Sequence, residues 1–295
     1  MYRRMNTLSN IEIRLLDSPE DLKLVEDLQR IIWPGNDIEI VPVHIFRASV
    51  HNGGIILGAF FDEKLIGFVF GFPGYGIFEG KRQIFHASHM AGVHPEFRNA
   101  GLGYKLKRAQ WQMVRRQGIE RITWTYDPLQ SRNANLNLSK LGAVCNTYIP
   151  NYYGEMRDGL NIGMPSDRFQ VDWWVNSNRV RRRLSKRKQQ KITLSQYLDA
   201  GIPIINPAIY GDNGLLMPGK GTSYQIQVPM LLLEIPPDIQ SIKQADLKLA
   251  IQWSNHIREA FSFLFRIGYI ATDFIYFLGK PSKSYYVLTD GDATF

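Results

Sequence analysis

Cysteine is almost missing from this chain: Cys145 is the only one in 295 residues. That excludes a disulfide framework and a cysteine-based metal cluster, and it fits a reducing compartment. Cys145 follows Gly142 on an expected strand with no histidine nearby in sequence, the setting of a buried apolar thiol rather than a nucleophile. The histidines, His44, His51, His86, His89, His94 and His256, offer no H-x-x-x-H or H-E-x-x-H spacing, so no metal is expected. Met1-Tyr2-Arg3-Arg4-Met5-Asn6 carries charge with no apolar run behind it, unlike a signal peptide. The strongest apolar window, Phe261 to Leu278, holds Arg266, Asp273 and a Gly-Tyr break, and reads as a buried helix followed by a strand instead of a membrane span. A cytoplasmic protein is the expectation.

What is present is a folding composition, 44% hydrophobic and 12% aromatic, long enough for one large domain or two modest ones. The formal charge of +8 is concentrated: Arg179, Arg181, Arg182, Arg183, Lys186, Arg187, Lys188 and Lys191 account for all of it. No aromatic residues interleave this run, so it reads as a solvated linker or helix, and neither nucleic acid nor a membrane is expected as a partner.

The most informative stretch is Arg98-Asn99-Ala100-Gly101-Leu102-Gly103, an R-x-x-G-x-G turn. Ile84 to Val93 before it has strand length and residue types, ended by His94-Pro95-Glu96. Beyond it Leu102, Leu106, Ala109 and Met113 form an apolar helical stripe, with Lys105, Lys107, Arg108, Arg115 and Arg116 mostly on other faces and Gly118 as the stop. Two glycines bring main-chain N–H groups within reach of an anion at the positive end of a helix, and Arg98 adds charge, so the turn reads either as a phosphate site or as a plain strand-to-helix turn. At least three strands precede it, unlike a dinucleotide-binding fold, and Tyr104 follows Gly103 where a P-loop needs Lys-Ser/Thr.

Val93-His94-Pro95-Glu96-Phe97-Arg98-Asn99-Ala100-Gly101-Leu102-Gly103 is similar to the V-x-P-E-[YF]-R-x-x-G-x-G signature of the GNAT superfamily of acyl-CoA-dependent N-acetyltransferases. The surrounding order fits that resemblance: strand Ile11 to Leu16, helix Pro19 to Ile32, short helix Val43 to Val50, and a hairpin of Ile55 to Phe61 with Leu65 to Phe72 turning at Asp62-Glu63. After the signature come strand Ile119 to Tyr126, a short helix over 133 to 141, and a strand pair, Val144 to Ile149 with Arg168 to Val175. The resemblance implies an α/β (α+β) fold over residues 10 to 176, a mixed, splayed sheet flanked by helices. Ser88-His89-Met90, Tyr126-Asp127-Pro128-Leu129, Ser131-Arg132-Asn133-Ala134, Leu141-Gly142-Ala143 and Asn151-Tyr152-Tyr153-Gly154 resemble more narrowly a little-characterised bacterial GNAT group with an extra C-terminal region. Three segments are therefore expected: a GNAT acyl-CoA-binding domain over 1–176, a basic linker or helix over 177–200, and a smaller α+β domain over 201–295. In the last, strand Met230 to Ile235, helix Ala245 to Ile267 and strands Tyr269 to Phe277 and Tyr285 to Leu288 suggest a degenerate GNAT-like half.

The resemblance implies acetyl transfer from acetyl-CoA, or another acyl-CoA, to the amine of a small molecule. It places the pantetheine arm on Met90, Ala91, Gly92 and Val93, and the diphosphate on Arg98, Asn99, Ala100, Gly101, Leu102, Gly103 and Tyr104. Amides near Gly92 would be the oxyanion donors, and Asn133 or Asn135 would bond the pantetheine amides, although the family's usual asparagine position holds Ser131. His89 is the first candidate for the base and His86 the second, with a plain hydrogen bond in a packed sheet as the alternative for each; a separation of three puts them on opposite faces unless a bulge intervenes. Where many members carry an acid tyrosine, counting from Ala134 gives Leu138, so Tyr126, Tyr152, Tyr153 or water would substitute, or the protein holds acyl-CoA without turnover. Asp127 would recognise a cationic amine or only cap the turn at Pro128. A homodimer is compatible with the sequence.

Overall fold

The computed structural model describes residues 10–35, 40–78, 80–154, 163–185, 191–219 and 228–291. Met1 to Asn6, and Lys186, Arg187 and Lys188 of the basic run, lie outside the described residues. The described residues form two compact units, the first of residues up to Trp124 with Trp174–Ser177, the second of the rest.

In the first unit β1 (Glu12–Leu15), β2 (Ile55–Phe61), β3 (Lys64–Phe78) and β4 (Lys81–Val93) are antiparallel neighbours in that order. β5 (Arg121–Tyr126), which begins here and leaves the unit after Trp124, pairs parallel with β4 through a crossover helix, α3 (Leu102–Arg116). Helix α1 (Pro19–Ile32) starts where Ser18 Oγ accepts the Asp21 amide at 3.1 Å, with Pro19 at its first turn. It buries Leu22, Val25, Leu28 and Ile32 with Phe46 of α2 (Val43–His51) against Ile56, Phe60, Phe68 and Phe70. The β2–β3 hairpin turns on Asp62 and Glu63, both at positive φ (46° and 63°), as the primed two-residue turn of right-twisted strands requires.

β3 runs on to Phe78, past Phe72 where the sequence reading ends it. Gly74 and Gly76 break the apolar alternation, but the Phe85 ring lies across them, within 2.5 Å of where a Gly74 Cβ would stand. Arg121 stacks over the rings of Phe78 and Phe85, which fixes this face of the extended hairpin. On α3 the buried stripe is Leu102, Leu106, Lys107, Gln110 and Val114, not the Leu-Leu-Ala-Met stripe of the sequence reading. Two polar side chains thus face inward.

The second unit has the strand order β7 (Arg168–Trp174, up to Trp173), β6 (Val144–Ile149), β11 (Tyr269–Phe277), β12 (Lys283–Asp290), β10 (Met230–Ile235), each pair antiparallel. Between them lie α4 (Ser131–Ala134), which widens into an i+5 turn over Asn135–Lys140, then α5 (Asn178–Leu184) and α6 (Leu194–Asp199). A small ribbon, β8 (Ile209–Tyr210) with β9 (Leu216–Met217), and helices α7 (Ile239–Ala245) and α8 (Leu247–Arg266) complete it. The helix expected over Ala245 to Ile267 is α8, capped where Asp246 Oδ1 accepts the Leu249 amide at 3.0 Å; α7 precedes it where no helix is expected. Phe169, Phe261, Tyr286 and Phe274 form an aromatic centre, with the Phe169 and Phe261 rings 4.6 Å apart. The strand–helix–strand order of the C-terminal region is present, but β12 stands between β10 and β11, so these are not adjacent as β4 and β5 are.

The basic run is partly structural. Within the second unit Arg179 Nε donates to the Gly142 carbonyl at 3.1 Å and its guanidinium also reaches the Thr272 carbonyl. Arg183 donates to the Ser139 carbonyl at 3.0 Å and pairs with Asp273 at 2.5 Å. Arg181 and Arg182 are exposed.

Candidate active site

β4 ends at Val93, and Pro95–Phe97 make one tight turn in which the Arg98 amide reaches the Pro95 carbonyl at 3.3 Å. His94 Nδ1 accepts the Glu96 amide at 3.3 Å. The chain then reverses through Asn99 (φ 67°) and Gly101 (φ 75°), both left-handed. The next main-chain donor used inside the protein is that of Lys105, to the Gly101 carbonyl at 3.2 Å. The amides of Asn99 to Tyr104 therefore lie at a helix start with no main-chain acceptor among the described residues, and a Cβ built on Gly101 would meet no atom within 4 Å. The bend is open and its donors are unspent, with exposed Arg98 beside it. An anion fits this donor set.

β5 pairs with β4 only at His86↔Ile122 and Ala87↔Thr123. Past that fork β4 carries a bulge: Met90 faces Phe70 and Ser88 faces Gly71, so His89 is the extra residue. His89 is exposed, yet its ring lies 6.0 Å from that of Phe70 and 5.9 Å from that of Phe72, and this apolar shielding lowers its pKa. Met90 packs on the α1–α2 core, and a Gly92 Cβ would strike Ile32 at 2.7 Å. His86 points instead to α3, fully buried, with Nε2 3.1 Å from Gln110 Nε2, and burial pushes its pKa down to about 3. The bulge thus leaves the two histidines in separate surroundings.

Sequence reasoning missed Lys107. It is buried on α3, its Nζ 2.8 Å from Ser88 Oγ, 3.1 Å from Gln110 Oε1 and 3.6 Å from the centre of the Trp124 ring. Burial holds its pKa well below the ordinary lysine value. The one signal available was its place one residue after Leu106, on the edge of the inward stripe.

The other candidates lie in the second unit. Tyr126 is buried with its hydroxyl 3.2 Å from that of Tyr286, which itself donates to the Pro128 carbonyl at 2.7 Å; burial pushes the Tyr126 pKa up. Tyr152 is exposed and packs edge-on to Tyr153 at 4.6 Å, and Asn133 is exposed on α4. Asp127 caps its turn, Oδ1 accepting the Leu129 amide at 2.9 Å, while burial raises its pKa. Leu138 is fully buried. Cys145 is buried, its thiol directed at the Gln170 and Thr147 carbonyls, and burial raises its pKa well above the usual value. Among the described residues no group of three or more His, Cys, Asp or Glu could hold a metal, and no helix is long and apolar enough to cross a membrane.

Residues 22–142 match the family model of the acetyltransferase (GNAT) family. The chain carries a GNAT acetyltransferase domain. No curated protein matches it. Among solved structures it is similar to yncA from Salmonella typhimurium with its cofactor acetyl-CoA, at 19% identity, 58% of this chain, 96% of that one and a TM-score of 0.45. It is similar also to the ribosomal-protein-S18-alanine N-acetyltransferase from Escherichia coli, at 13% identity, 61% and 99% coverage and a TM-score of 0.44. Aminoglycoside 6'-acetyltransferase type Ii gives 19%, 57%, 99% and 0.45. The GNAT match runs from the first turn of α1 to the turn after α4.

Proposed function

We propose that this protein is an acyl-CoA-dependent N-acyltransferase, passing an acetyl group from acetyl-CoA to the amine of a small molecule by direct attack. The observation that carries the reading is the open bend from Arg98 to Tyr104, whose unspent amides form an anion-binding donor set at the start of a helix within the GNAT match. Beyond the fork, Met90, Ala91, Gly92 and Val93 have main chain unpaired with β5, which supports their bonding the pantetheine amides, and amides near Gly92 would bond the carbonyl oxygen as it becomes negative. His89 takes the proton from the acceptor ammonium; its lowered pKa keeps the imidazole neutral, and so able to accept, at pH 7.

Leu138 favours a second reading, a module that holds acyl-CoA without turnover, because a buried leucine supplies no proton where a family tyrosine is expected. One pair of measurements separates them: acetyl-CoA binding by calorimetry, and thiol release from acetyl-CoA over a panel of small amines. Transfer requires amine-dependent thiol release, reduced roughly 10²-fold in His89→Gln. Binding with no release from any amine supports the holding module. No binding removes both readings.

A further inference from the structure

The fork between β4 and β5 is occupied by a side chain that the reading above does not use. Strand pairing stops at Ala87↔Thr123, and at the next position on each strand stand Ser88 and Trp124. Lys107 of α3 touches both, its ammonium 2.8 Å from Ser88 Oγ and 3.6 Å from the Trp124 ring centre, so it bridges the strands where they part. Gln110 Oε1 is its third neighbour at 3.1 Å. A lysine is costly to bury, and this one is only 3% exposed, on the helix whose first turn carries the open amides.

Distance links the two ends. With His89 bulged out, Ser88 to Val93 advances only as far as Gly71 to Gly67 opposite it, four steps or about 13 Å at the rise of a strand, and the extended arm of CoA between diphosphate and sulfur is long enough to span it. With the diphosphate on the bend and the arm along β4, the sulfur comes to the fork. We propose that Lys107 is the proton donor to the departing CoA thiolate, its ammonium touching the sulfur where β4 and β5 separate. This rests on the acyl-CoA reading of the bend.

The step balances. The acceptor nitrogen bonds to the carbonyl carbon, the C–S bond breaks with its electron pair on sulfur, and Lys107 passes an N–H proton to that sulfur. The proton lost by the new amide nitrogen leaves through His89 to water, and Lys107 regains its own from water. Burial lowers the lysine's pKa, which makes its ammonium a readier proton donor than an exposed lysine. The titratable group facing Lys107 from β4 is His86, which stays neutral because burial holds it near 3; Trp124 faces it from β5, and Gln110 lies on its own helix.

The test uses the full chain with CoA and desulfo-CoA as probes and needs no acceptor. The thiolate absorbance of bound CoA, followed from about pH 6 to pH 9 across the ordinary thiol range near 8.5, should show ionisation at least tenfold more favourable than for free CoA. Lys107→Met should return the bound thiol to its free behaviour while desulfo-CoA binds as before, and Lys107→Arg should keep the thiol ionised. If Lys107→Met no longer binds desulfo-CoA, Lys107→Gln, which keeps a hydrogen-bonding group at Ser88, gives the same reading. A bound thiol that titrates as free CoA does in the unaltered protein overturns the proposal, as does a favoured thiolate surviving in the Met or Gln variant. Failure of the unaltered protein to bind either probe instead overturns the acyl-CoA reading beneath it.

Discussion

Gln110 Nε2 lies 3.1 Å from His86 Nε2, and that contact decides where the imidazole keeps its proton. Gln110 Oε1 already accepts from Ser88 Oγ at 3.0 Å and Lys107 Nζ at 3.1 Å, so the amide presents its NH₂ to the ring. His86 Nε2 then accepts, and Nδ1 carries the hydrogen, buried with no partner among the described residues. The ring cannot take a second proton cheaply there: burial, and next the charge of Lys107, push its pKa down to about 3.

The consequence is an acid-labile core. A histidine with an unfolded value near 6.5 and a folded value near 3 contributes stability that is full above pH 6.5 and is lost as pH falls toward 3, at about 1.4 kcal/mol per pH unit. Denaturant unfolding at pH 6.5 and 4.5 should show the unaltered protein losing roughly 2 to 3 kcal/mol more than His86→Gln over that interval. Equal losses in the two proteins would mean that His86 protonates freely in the folded state.

The basic run makes a second, separable prediction. Arg183 is half-buried between the Ser139 carbonyl and Asp273, whereas Arg182 is exposed. Arg183→Ala should lower unfolding free energy by about 1 to 3 kcal/mol through the unpaired carbonyl and carboxylate, and Arg182→Ala by less than about 0.5 kcal/mol. Two equally silent substitutions would return the whole run to a solvated linker.

How far the sequence could be read is uneven, for physical reasons. The bounds of α1, β2, β10 and β11 were legible to the residue because a cap, a turn or a proline marks each end locally: Ser18-Pro19 opens α1, and Asp62-Glu63 closes β2. The signature turn was legible because its glycine and its family pattern are both local. What failed depended on a partner distant in sequence. The strand that ends at Phe72 in the sequence reading continues because the Phe85 ring covers Gly74 and Gly76, and Lys107, read as lying on another face, turns inward because Ser88, Gln110 and Trp124 receive it. The bulge at His89 is likewise a property of its pairing with β3, which the strand alone does not encode.

The central claim is that the amides between Arg98 and Tyr104 hold the diphosphate of CoA, and Gly101 and Gly118 at the two ends of α3 allow a controlled test. Both are left-handed, at φ 75° and 76°, and neither has an atom within 4 Å of a built Cβ, so a glutamate at either costs the same backbone strain, about 1 to 2 kcal/mol. Calorimetric titration of CoA into the two variants and the unaltered protein should show Gly101→Glu weakened at least 100-fold, about 2.7 kcal/mol, and Gly118→Glu unchanged, with similar melting temperatures for both variants. Unaltered CoA affinity in Gly101→Glu would contradict the account.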